Sequence, residues 1–135
     1  MNMKKDKIKW VVPQYKGMEF NGYLISNTGI LVSKSKSCAM NKSKPLFDNY
    51  REINPLKCKA GYYTFHPYDK GHGRKLIYAH RLVWESFVCP IKKGMVIDHI
   101  NADKKDNQLS NLQMMTQSDN MKKYHKIDKL KKKNK

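Results

Sequence analysis

The sequence predicts an α+β fold: a small N-terminal antiparallel β region, then a strand–loop–strand–helix unit, then a basic tail. Three observations predict it. β-rich runs punctuated by glycine-bearing turns fill the first half of the chain. The apolar period changes from two to about 3.6 at "AHRLVWESFV". Two short apolar runs, "GMVIDH" and "LQMM", then flank a polar loop and lead into a capped helix. At 135 residues the chain is the size of one domain.

The elements follow in order. Residues 1–9 are expected as a frayed basic lead-in, and Trp10, Val11 and Val12 begin the ordered chain. Tyr23 to Ser33, "YLISNTGILVS", reads as a hairpin, with Gly29 free to take the positive φ that its turn requires. Residues 34–49 carry Ser, Lys and Asn without periodicity and read as a loop. "YREINPLK" is a short strand that Pro55 confines to an edge or an end. "GYYTFHPY" and "KLIYAH" are strands joined by "DKGHGR". Ala79, Leu82, Val83 and Phe87 fall on one helical face, and Pro90 stops that helix. Gly94 to His99 is a strand, residues 100–111 a polar loop, and "LQMM" an extended return. Thr116 and Asp119 form an N-terminal cap for a helix from about Gln117. The stretch "KLKKKNK" is expected to lack order. The organisation is therefore a lead-in over 1–9, a β-rich module over 10–75, a core over 76–124 and a disordered basic tail over 125–135.

Charge bounds the partner. Lys plus Arg number 28 against 11 for Asp plus Glu, a formal net charge of +17. A compact domain with that charge needs a polyanion, and nucleic acid fits better than a membrane surface. No apolar run approaches the roughly 20 residues of a membrane span, and no apolar stretch follows the N-terminal lysines as in a secretory signal. Cys38, Cys58 and Cys89 are widely spaced, with no Cys-x-x-Cys, against a disulfide framework or a cysteine zinc site. The expected location is the cytoplasm.

Chemistry concentrates in "IDHINADKKDNQLSNLQMMTQSDN", residues 97–120. Asp98 and His99 end a strand, so the following loop has to turn His99 toward a shared cleft. Asn120 lies about one turn into the next helix and can bring its amide oxygen near the Asp98 carboxylate. Two hard oxygen ligands with room for water and phosphate make a Mg²⁺ site. His99 can take a proton from water near neutral pH, and Asn111 can orient that ring or the loop that carries it. The same residues also fit a solvated turn with Asx-turn hydrogen bonds. The chain holds 11 asparagines, so spacing alone leaves function undecided.

The run "AHRLVWESFV…GMVIDHINADKKDNQLSNLQMMTQSDN" resembles the HNH endonucleases of phages and group I introns. Upstream, "WVVPQYKGMEFNGYLISNTGILVS" resembles the small module, with its Trp and Tyr-x-x-Ser-Asn-x-Gly, that often precedes HNH in these homing nucleases. The resemblance runs from about Trp10 to about Lys123. It implies a ββα-metal core over 76–124 and hydrolysis of DNA phosphodiester bonds, by nicking or by double-strand cleavage. It assigns His99 as the general base, Asp98 and Asn120 as ligands of one divalent ion (Mg²⁺, with Mn²⁺ as the substitute), and Asn111 as the residue holding loop and histidine in place. It also implies double-stranded DNA as partner, no small-molecule cofactor, and a monomer that could pair on DNA. Arg81, His80, Lys122 and Lys123 are candidate nucleic-acid contacts. His66, His72 and His125 are expected to face solvent. Two departures stand out. The loop reads Asn101-Ala102-Asp103 where an acidic residue followed by Gly is common, and Asn111-Leu112-Gln113-Met114 replaces Asn-Leu-x-Trp. A catalytically inactive DNA-binding relative is the alternative reading, and a basic RNA-binding protein explains the charge but not the Asp-His pair.

Overall fold

The computed structural model of the chain describes residues 7–34 and 49–133. The first half is built from short strands: β1 (Trp10–Val11), β2 (Gln14–Tyr15), β3 (Met18–Glu19), β4 (Tyr23–Ser26), β5 (Leu31–Lys34), β6 (Tyr50–Ile53), β7 (Leu56–Lys57), β8 (Tyr63–Phe65), β9 (Tyr68–Asp69), β10 (Gly73–Arg74) and β11 (Ile77–Tyr78). Helix α1 (Ala79–Phe87) follows, then β12 (Met95–His99), a 3₁₀ turn (Leu109–Asn111), β13 (Leu112–Thr116) and helix α2 (Gln117–Lys133).

The expected hairpin is β4 against β5, extended to a four-stranded antiparallel sheet in the order β1-β4-β5-β6. Pro55 separates β6 from β7, which belong to different sheets. β7 and β11 flank β8 in a second antiparallel sheet, while β9 and β10 form the ribbon that turns between β8 and β11. All three pairings suit runs of β-branched and aromatic residues bounded by Gly and Pro. β12 and β13 pair in a five-residue register from Met95↔Thr116 to His99↔Leu112.

α1 is the centrepiece of the core. Ala79, Leu82 and Val83 are buried on its inner face, as the 3.6-residue period requires. They meet Phe20, Ile25 and Leu31 from the N-terminal region, Phe65 and Ile77 from the second sheet, and Ile97 and Leu112 from the β12–β13 hairpin. One apolar cluster therefore crosses the boundary read from the sequence at 75/76. Neither side contributes enough large apolar side chains to close a core alone.

Three sequence expectations change. Lys7 and Lys9 are not frayed: Asn27 Nδ2 donates to Lys7 O, and Lys9 N donates to Asn27 Oδ1. The tail is helical through Lys133 rather than disordered from 125. Thr116 Oγ1 accepts from Asp119 N and caps the first turn, Asp119 favours the positive end of the helix, and Lys131–Lys133 favour the negative end. The loop expectation for 34–49 meets β5 at Lys34; residues 35–48, with Cys38, lie outside the described residues. Cys58 and Cys89 are free thiols.

One turn connects the N-terminal sheet to the second half. Gly29 sits at φ +92, and a Cβ built there would lie 3.1 Å from Asn107 O and 3.2 Å from Asn107 Cβ. Beside it, Leu109 N donates to Asn27 O at 2.8 Å. Only a residue without a Cβ lets the hairpin tip seat on the 100–111 loop. Gly29→Ala is expected to lower unfolding stability by about 2–3 kcal/mol, combining a positive-φ cost with a backbone collision. Gly22→Ala, also at positive φ but with nothing within 4 Å of its Cβ position, should cost less. Urea unfolding of the two variants compares them directly.

Candidate metal centre and its surroundings

The β12–β13 hairpin and the start of α2 position Asp98 and Asn120. Asp98 is 2 % exposed. Its direct cross-strand neighbour is Gln113, whose Nε2 donates to Asp98 Oδ2 at 2.8 Å. Lys123, on α2, donates to the same oxygen at 2.6 Å. It also donates to His99 O at 2.8 Å and Ile100 O at 3.2 Å. An ammonium has three protons, and three acceptors from consecutive residues take them. Lys123, expected from the sequence as a DNA contact, thus points inward; the reason is that a buried carboxylate needs a cation and α2 delivers this one. Lys122 is exposed.

Asp98 Oδ1 has no hydrogen-bond partner and is buried; the same holds for Asn120 Oδ1. Buried polar atoms are seldom left unpaired without a functional reason. Both are hard oxygen acceptors of the kind a divalent cation takes. Among the described residues no three His, Cys, Asp or Glu converge on a metal position. The donor set that fits is therefore one carboxylate and one amide.

His99 is 1 % exposed and closes β12. Its Nε2 lies 2.8 Å from Asn107 Oδ1. A carboxamide oxygen only accepts, so Nε2 carries a proton, and in the neutral ring the lone pair is on Nδ1. The ring packs 4.9 Å from that of His80 and 6.1 Å from that of Tyr62, centroid to centroid. His80 is held by burial, with smaller contributions from His99 and Arg81, at a pKa of about 3. It is a neutral ring at physiological pH, packed against His99.

Asn111 holds the loop rather than the histidine ring. Its Nδ2 donates to Asn101 Oδ1 and to Asp106 O, both at 2.9 Å, and its Oδ1 accepts from Asn101 N at 3.1 Å. Ring orientation falls to Asn107 instead, a residue the sequence reading left unassigned in a polar loop. Gln113 was also missed, although the strand register pairs it with Asp98. Inside this loop Ala102 adopts φ +62.

A cavity of about 220 Å³ opens beside these groups, lined by Tyr62, Tyr78, His80, Arg81, Val96, Ile97 and Asn120. The candidates His80, Arg81 and Asn120 thus share one cavity, and Arg81 Nε is buried there without a partner. Tyr62 packs against His80 with ring centroids 5.3 Å apart, and Lys104 Nζ sits 4.6 Å from the Tyr62 ring centroid while donating to Ala60 O. Burial raises the Tyr62 and Tyr124 hydroxyls above the usual tyrosine range. Elsewhere, His72 pairs with Asp69 on the surface and His125 is exposed, as expected, while His66 is half-buried against Thr64.

Comparison with known proteins bears on this geometry. Residues 77–122 match the HNH endonuclease family. Over 105 residues the chain is 33% identical to the Bacillus subtilis (strain 168) protein named "SPbeta prophage-derived putative HNH homing endonuclease YosQ", covering 78% of this chain and 53% of that protein. The chain thus spans about half the length of this curated relative. It also superposes on the solved structure of DNA binding and cleavage by the HNH homing endonuclease I-HmuI, with a TM-score of 0.66 and 26% identity, over 89% of this chain and 59% of that one.

Two predictions follow from the loop. Asn107→Ala should lower any hydrolytic activity of the site about 10–100-fold through loss of the ring's orientation, whereas Asn107→Asp, which keeps an acceptor, should retain more of it. Steady-state rates of the two variants make the comparison. Ala102→Gly should raise stability by about 1 kcal/mol, since glycine relieves the left-handed strain; thermal unfolding measures it.

Proposed function

From the match of residues 77–122 to the HNH endonuclease family, we propose that the chain is a metal-dependent endonuclease of that family hydrolysing phosphodiester bonds of double-stranded DNA. The observation that carries the proposal is the pair of buried, unpartnered oxygens, Asp98 Oδ1 and Asn120 Oδ1, next to a histidine whose tautomer leaves Nδ1 as a base.

In this reading Asp98 and Asn120 hold one divalent ion, Mg²⁺ with Mn²⁺ as its substitute. A bound divalent ion supplies positive charge to the scissile phosphate and its leaving oxygen. His99 Nδ1 accepts the proton of the attacking water. Asn107, through Nε2, keeps the ring turned so that Nδ1 is the accepting atom. The imidazolium formed is stabilised by the same bond, which strengthens when the donor is charged. Arg81, in the cavity wall, pairs with a phosphate oxygen. His80 serves as a neutral packing surface that restricts His99. Asn111 keeps the loop closed over the end of β12. The exposed lysines of α2, Lys122 among them, neutralise the phosphate backbone and give affinity without base reading. A single centre of this kind in a monomer nicks one strand; cutting both strands requires two copies or two encounters.

The proposal is tested with supercoiled plasmid. Nicking should require Mg²⁺ and stop on adding EDTA. His99→Ala should slow it at least about 10²-fold with DNA binding nearly unchanged. Asp98→Ala and Asn120→Ala should each lose activity at low millimolar Mg²⁺, because each removes one of two protein ligands. Cleavage that persists in EDTA, or a fully active His99→Ala, rejects the mechanism.

A further inference from the structure

The charge inventory around Asp98 and Asn120 has a consequence for when a metal ion can bind. Asp98 carries the one carboxylate, and Lys123 Nζ sits 2.6 Å from it. Asn120 and Gln113 are neutral amides. His80 is neutral, held near a pKa of 3 by burial. Arg81 adds a positive charge to the wall that Asn120 also lines. Asn120 further lies in the first turn of α2, at the positive end of the helix. Among the described residues no second or third acidic or imidazole group joins them to form a metal cluster. The site thus offers the geometry of two oxygen ligands with a net charge that is zero or positive. All three Lys123 donors are engaged on residues 98, 99 and 100, so this cation is built into the strand end and does not swing freely.

We propose that Lys123 makes metal loading depend on DNA: it cancels the Asp98 charge, so that a divalent ion binds tightly only when a DNA phosphate supplies the missing negative charge. This rests on the endonuclease reading above. A divalent ion brought next to Asp98 Oδ1 meets the Lys123 ammonium on the other oxygen of the same carboxylate, and like charges that close repel strongly in a buried setting. A phosphate oxygen entering the cavity reverses the sign. By linkage, the metal must then tighten DNA binding by the same factor that DNA tightens metal binding. Lys123 acts through Asp98, so it is a positioning and charge-setting residue. The arrangement would keep the free protein from holding a divalent ion away from its substrate.

The test measures Mn²⁺ binding to the full-length chain by electron paramagnetic resonance. The comparison is between free protein and protein with a duplex that spans the site cut in the plasmid assay and carries a hydrolysis-resistant phosphorothioate at that position. For wild type, DNA should raise Mn²⁺ affinity at least about tenfold. Lys123→Met should bind Mn²⁺ about tenfold more tightly in the free state and lose most of the DNA-linked gain. Lys123→Arg, which keeps the charge, should behave as wild type. Lys93→Met, the same charge change at an exposed position between α1 and β12, should move the affinity less than about twofold because solvent screens it. Equal wild-type affinity with and without DNA overturns the proposal, as does a Lys123→Met protein whose free-state affinity is unchanged or weaker. If Lys123→Met does not fold, Lys123→Gln, which keeps amide donors at residues 98–100 without the charge, takes its place under the same expectations. Absence of nicking in Mg²⁺ would instead reject the endonuclease reading, whereas nicking with DNA-independent Mn²⁺ binding rejects this inference only.

Discussion

Burial of the Asp98 carboxylate is the constraint around which the second half of this molecule is arranged. A carboxylate removed from water needs a cation and donors, and breaking such a buried pair from one side costs about 3–5 kcal/mol. Lys123 meets that need from α2 and Gln113 from β13. The Lys123 contact fixes the rotation of the helix relative to the hairpin. That rotation puts Asn120, one turn before Lys123, in the wall of the cavity that His80 and Arg81 also line. Both donors settle on Oδ2, which leaves Oδ1 buried without a partner. Compensation of a charge and construction of the proposed metal site are here one arrangement.

The histidine depends on a longer chain of support. Asn107 holds the His99 ring, and Gly29 at the hairpin tip packs on Asn107. The hairpin tip is in turn tied to the lead-in through Asn27. The network of Asn101, Asp106 and Asn111 closes the loop from the other side. The N-terminal sheet therefore shares its core with α1 and also presses on the loop that holds the His99 ring. This gives a structural reason for the two sequence modules to stay together in one chain.

Much of this was legible from residue order. The α+β class followed from period changes, the hairpin from Asn27-Thr28-Gly29, α1 from Ala79, Leu82 and Val83, and the α2 cap from Thr116 and Asp119. Asp98, His99 and Asn120 offered oxygen ligands beside an imidazole, but spacing left their role open and only the resemblance to HNH endonucleases assigned it. The tail was misjudged because composition was weighed without nucleation. Lysine is a fair helix former once a capped turn precedes it. Lys123 was misassigned because a lysine in a basic chain is read by its charge, and charge does not say which way a side chain points.

The sequence by itself determined the local elements and the chemical types available at residues 97–123, because turns, caps and periodicity act over a few neighbouring residues. Only the tertiary structure decided which groups pair. Asn107 rather than Asn111 holds the histidine, Lys123 faces Asp98 rather than DNA, and Ala102 alone bears left-handed strain in its loop. Those outcomes depend on contacts between residues far apart in the chain, Gly29 with Asn107 and Asp98 with Lys123. Such contacts are set by how the hairpin, α1 and α2 close one common core, a condition that no local pattern encodes.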